Sequence, residues 1–239
     1  MGLFDLFASE ETRIKKNIRV VTDRDAQPED REASAHWLVQ NGKPTALLGL
    51  LSRFDMQLEN QMKDAAEKDY VQSLCASVGE PLREPLNAWL RRCRVFARPL
   101  TLIEDLFGKG AAIDAAMDML EVEYKRDDLN KPQKKREVLI WLADIRDARL
   151  IDFVLRFLED FDEGVRYAAA EVIIAQEDDR GRELLLNRLA HPEEDSNRLR
   201  TRLAEVFIAR RWSLGERAQD VADRPPSGYT VADGRLTRA

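Results

Sequence analysis

The sequence predicts an all-α fold in which antiparallel helix pairs stack in a row, and three observations predict it. From Val165 the apolar residues fall at Val165, Ala168, Ala169, Val172 and Ile173, which is helical spacing. The segment before it, 150–161, carries Leu150, Phe153, Val154, Phe157, Leu158 and Phe161 over a broad arc, with Asp152, Arg156, Glu159 and Asp160 on the other side. Between the two lies a very short turn, which forces an antiparallel hairpin. Third, the chain resembles itself. Leu155–Leu158 aligns with Leu186–Leu189 at a step of 31 residues, Glu171-Val172 with Glu205-Val206 at 34, and Ile113-Asp114 with Ile151-Asp152 at 38. Steps of that size mean two-helix units, none of which hides its apolar side alone.

The remaining elements follow in order. Leu3, Phe4, Leu6 and Phe7 form an apolar N-terminal segment, residues 1–10, ended by a polar break at Ser9; it is expected to fold back over the first helix. A helical array is expected over 11–212. It opens with a basic helix over 11–21, striped by Ile14, Ile18 and Val21. Helices follow over 29–40, ended by Asn41-Gly42, over 44–54 and over 61–78, ended by Gly79. Next come 81–92 and 95–107, where Pro99 predicts a kink or late start. Gly108 and Gly110 break the chain before a helix over 111–124, and residues 125–132 make the longest polar loop. Helices over 133–145, 150–161, 163–176, 184–189 and 199–210 complete the array, Asp162 capping the third of these. The tail, 213–239, holds one short helix over 216–223, a Pro225-Pro226 break, and an extended segment over 229–236 that could lie across the last helices.

Asp162 at the turn, Val165 and Arg166 opening the second helix, and the small apolar run after them resemble the HEAT repeat family, including bacterial HEAT-repeat domain proteins. Only the pair around Asp162 carries the whole signature; Arg136-Glu137-Val138 is a weaker version. The resemblance implies a right-handed alpha-solenoid of about six antiparallel helix pairs, HEAT/armadillo-like, that serves as a binding scaffold.

Function classes narrow by elimination. With 38 basic and 44 acidic residues the net charge is −6, which argues against a dedicated nucleic-acid binder. The two cysteines, Cys75 and Cys93, fit small buried core residues better than a disulfide framework or a metal site. No apolar run reaches membrane-span length, and the N-terminus lacks the pattern of a signal peptide, so a cytoplasmic protein is expected. His36 and His191 are the only histidines and neither precedes Glu, so the His-Glu pairs of HEAT-type iron hydroxylases are missing. No phosphate loop, nucleophile elbow or zinc spacing occurs. No catalytic residue, cofactor or metal is therefore expected.

The informative polar feature is a set of cations near the starts of second helices: Arg94, Arg98, Lys134, Lys135, Arg136, Arg166, Arg198, Arg200 and Arg202. In stacked repeats, equivalent positions form a ladder on one surface. Arg94, Arg98, Lys135, Arg166 and Arg202 are taken as the partner-binding residues of a non-enzymatic scaffold whose concave face receives a protein partner with an acidic segment. The local alternative pairs these cations with neighbouring acids, as Arg166 with Asp162. A second functional reading is a nucleic-acid-binding protein similar to HEAT-like DNA glycosylases. It would need aromatic side chains and a carboxylate in a basic groove; Trp89 and Trp141 fall at core-like helical positions.

Overall fold

The computed structural model describes residues 3–93, 96–126 and 132–239. Of the side chains, those of residues 3–9, 97 and 126 lie outside the description. The chain is predominantly helical, with thirteen α-helices and one two-stranded sheet among the described residues. It divides into two compact units, Met1–Val122 and Glu123–Ala239. No described helix is long and apolar enough to cross a membrane.

The first unit contains α1 (Leu3–Val21), α2 (Pro28–Asn41), α3 (Pro44–Leu51), α4 (Gln61–Val78), α5 (Arg83–Leu90), α6 (Ala97–Phe107) and most of α7 (Lys109–Arg126). α1 runs from Leu3 without a break at Ser9, so the expected N-terminal segment and basic helix are one element. Local chemistry sets the other ends. Pro28 and Pro44 sit in the first turns of α2 and α3, where a missing N–H costs no helical bond. Gly42, at φ 67°, ends α2 in the left-handed conformation and returns its N–H to Leu38 O. The Asn60 side chain caps α4 by accepting from Lys63 N at 3.0 Å. α6 starts late, at Ala97, with Pro99 inside its first turn. α3 contributes Leu47, Leu50 and Leu51 to a core shared with Phe54, Leu86 and Trp89, all essentially solvent-free. A Cβ at Gly49 would stand 2.2 Å from Ile18 Cδ1, so glycine lets α3 close onto α1.

The second unit contains the end of α7, then α8 (Gln133–Ala143), α9 (Arg149–Val154), α10 (Glu163–Ala175), α11 (Arg180–Leu189), α12 (Asn197–Ala209) and α13 (Ala218–Asp223). Its sheet pairs β1 (Tyr229–Ala232) with β2 (Arg235–Arg238). α8, α10 and α12 are neighbours in that order, while α9 packs on α10, and α11 on α10 and α12. Asp162 caps α10, accepting from Val165 N at 2.9 Å. The Gln176 side chain joins successive pairs: its amide donates to Ile145 O at 2.8 Å and its oxygen accepts from Asp147 N at 2.8 Å.

In the second unit two elements differ from expectation in kind. The helix expected over 150–161 stops at Val154 and tightens into a 3₁₀ turn, Leu155–Glu159. Phe157 and Leu158 are still buried there, and Leu155 is 42% exposed. The extended tail folds back on itself: Asp233 (φ 49°) and Gly234 (φ 69°) make the left-handed turn that an Asp-Gly pair favours, and Val231 pairs with Leu236. β2 packs against α12, and Leu214 N donates to Gly234 O at 2.8 Å.

Candidate functional site

The cations near the helix starts divide into two groups by burial. Lys135, Arg166 and Arg200 are buried and occupy equivalent positions in α8, α10 and α12, at steps of 31 and 34 residues. Each reaches toward the segment that follows its own helix pair. Lys135 bonds Asp160. Arg166 donates to both carboxylate oxygens of Glu194 at 2.9 and 2.8 Å, to Asp195 at 2.9 Å, and to the carbonyls of Asp160 and Phe161. Arg200 donates to Arg224 O, and Arg224 in turn to the carbonyls of Pro192 and Glu194.

Charges held this far from water must be paired and hydrogen-bonded. Burial works against the Arg166 charge, and the bonds to Glu194 outweigh it, so its pKa is raised. Arg200 meets a backbone carbonyl and the like charge of Arg224 in place of a carboxylate, and burial followed by that charge lowers its pKa. Lys135 and Arg166 therefore face their own chain instead of lying on an open strip, and the reason is a carboxylate waiting one unit further along.

The second group borders a groove of about 630 Å³ on the face of α8, α10 and α12. Ile140 projects into it, 59% exposed. Tyr167, Ala168 and Ile174 give the α10 side. Arg136, Arg198 and Arg202 bring three cations, and Glu137, Asp144 and Glu171 three acids. Arg202 is spoken for: its Nε and Nη2 lie 2.6 and 3.0 Å from the Glu171 carboxylate, a bond that raises its pKa. The Arg198 guanidinium stacks 3.9 Å above the Tyr167 ring and has no carboxylate partner among the described residues. Arg136 crosses α10 at Gly164, where a Cβ would come 2.5 Å from its Cδ, and its nearest acid is Asp162 at 3.9 Å. Asp144 is exposed, with no ion-pair partner among the described residues. The walls withdraw water from Glu137 and raise its carboxyl pKa, Arg136 pulling weakly the other way.

Of the five expected binding residues, only Arg202 lines this groove. Arg98 belongs to the first unit and pairs with Asp69. Arg94 lies outside the described residues. Arg136 and Arg198, members of the wider cation set, are the ones left available. What separates them from Lys135 and Arg166 is the helix face they occupy, together with carboxylates 25 to 28 residues away in sequence.

Among the described residues no group of three His, Cys, Asp or Glu is placed to hold a metal. Burial pushes the Cys75 thiol up to about 12, which keeps it protonated and unreactive at neutral pH. Trp89 is 1% exposed against Phe54 in the first unit, and Trp212 stacks edge-on against Phe207 at 5.2 Å. The aromatic ring that lines the groove is Tyr167. No protein-family model matches the chain, and no curated protein matches it.

Proposed function

We propose that this chain is a non-enzymatic HEAT-like scaffold, a right-handed alpha-solenoid of about six helix pairs, that binds a protein partner in the groove of α8, α10 and α12. One observation carries the reading: exposed Ile140 stands in a preformed groove between cations and acids that are not all consumed by their own neighbours. An apolar side chain beside incompletely paired charges is the usual make-up of a protein-binding patch. Support for the repeat comes from Lys135, Arg166 and Arg200, buried cations that each bond the segment after their own helix pair, at steps of 31 and 34 residues. A rigid groove loses little ordering entropy on binding, so modest contacts suffice. Its three cations are matched by three acids, which gives nucleic acid no net positive surface to follow.

The test is a selection of displayed random peptides on the full chain and on an Arg136→Glu/Arg198→Glu variant. The expected result is enrichment of peptides carrying acidic residues beside an apolar one, weakened about tenfold or more on the variant. Peptides that bind both proteins equally, or a chain that ignores peptides and binds duplex DNA with a steep salt dependence, would overturn the reading.

A further inference from the structure

We infer that one partner of this groove is a second copy of the same chain, docked through an antiparallel α8–α8 contact. The inference rests on the reading of the groove as a protein-binding face and names an occupant for it.

Two residues of α8 and its C-cap residue set the order along this face. Arg136, Ile140 and Asp144 are spaced by four residues and all line the groove. Four residues advance a helix by about 6 Å and turn it just past a full circle, so the three side chains stand nearly in a line with Ile140 in the middle. A two-fold axis passing near Ile140 then brings Arg136 of each copy opposite Asp144 of the other, at both ends of the contact. A face is self-complementary in this way when its positive and negative groups are equidistant from an apolar centre.

Three local facts make these groups available. Asp144 is exposed and without an ion-pair partner among the described residues. Among the described residues the ion-pair partner of Arg136 is the distant Asp162, at 3.9 Å. Ile140 is 59% exposed although Val138, Leu139 and Leu142 of the same helix are buried. A projecting Ile140 next to the hollow between α8 and α10 supplies both a knob and a hole, and the two-fold uses each of them twice. Arg198, stacked on Tyr167, stands on the far wall, where it adds positive potential toward the incoming acid.

Sedimentation equilibrium of the full chain tests this, over roughly 1 to 300 μM, the range in which small, partly polar interfaces dissociate. The variants are Ile140→Asp, Arg136→Asp and Asp144→Arg, each checked for wild-type helicity by circular dichroism. Wild type is expected to dimerise and Ile140→Asp to stay monomeric. Arg136→Asp and Asp144→Arg should each self-associate at least about tenfold more weakly, because each places like charges opposite one another at both ends. Mixed in equal amounts they should associate about as strongly as wild type, since the two-fold then pairs opposite charges at both ends. A wild-type chain that is monomeric throughout, or a mixture no stronger than either variant alone, overturns the inference. If displayed peptides still bind the groove in that case, the partner-binding reading survives without it; if peptides fail as well, both fall.

Discussion

Glu194 is 0% exposed, and two guanidiniums hold its side chain. Arg166 forms a two-pronged bond to it, and Arg188 Nε lies 2.7 Å from Oε2. A third bond comes from Ser196 N at 2.9 Å, and Ser196 itself caps α12 by accepting from Leu199 N. The carboxylate therefore ties α10 and α11 to the start of α12. Glu194→Gln keeps the shape and removes the buried charge, leaving Arg166 with only exposed Asp195 and Arg188 with only exposed Glu159 as carboxylate partners among the described residues. The expected loss is about 3–5 kcal/mol in urea unfolding, the magnitude for breaking one side of a buried pair. A loss below about 1 kcal/mol would mean that the backbone carbonyls around Arg166 and the exposed Glu159 beside Arg188 already suffice. The cation set was readable from sequence. That Lys135 and Arg166 are buried in internal pairs and do not line a concave strip was not, because the counter-ion of Arg166 lies 28 residues ahead in a loop with no periodic signal.

At the scale of elements, the joint among α2, the turn after α3 and α4 is the first unit's charged counterpart. Arg31 reaches Glu67 at 2.7 Å, Arg53 reaches Asp64 at 2.9 Å and Glu67 at 3.1 Å, and Lys68 reaches Asp64 at 2.7 Å. Burial alone would raise the carboxyl pKa of Glu67 and Asp64; hydrogen bonds from Arg31 and Arg53 to Glu67, and from Lys68 and Arg53 to Asp64, outweigh it, so both are lowered. A lowered folded pKa means that the stabilisation is fully present above the unfolded values. It is lost as pH falls from about 4.5 through the lowered folded values, because the unfolded chain takes up protons first. Urea midpoints measured from pH 7 to pH 3 should decline over that window, and Glu67→Gln should make the decline shallower. Equal slopes for the two proteins would contradict the assignment. Helix ends in this unit were legible, as at Gly79 and Gly42, because breakers act within a few residues. The 3₁₀ turn after α9 was not, since over five residues a period of 3.0 and one of 3.6 place apolar side chains alike. The hairpin of β1 and β2 has its signal in Asp233-Gly234, where one extended segment was expected.

For the whole molecule, the predominance of helix was legible because the apolar period recurs through most of the chain. The groove was not, since it depends on which polar residues of α8, α10 and α12 face outward and which are consumed by internal pairs. Isoleucine methyl groups report on this directly. Ile140 and Ile174 line the groove, while Ile14, Ile103 and Ile151 are buried in other helices. The decisive measurement is a methyl NMR titration of the full chain with the strongest peptide from the selection. The account predicts shifts at Ile140 and Ile174 and none at Ile14, Ile103 or Ile151. Shifts at those three with Ile140 unmoved would place the binding surface elsewhere and contradict it.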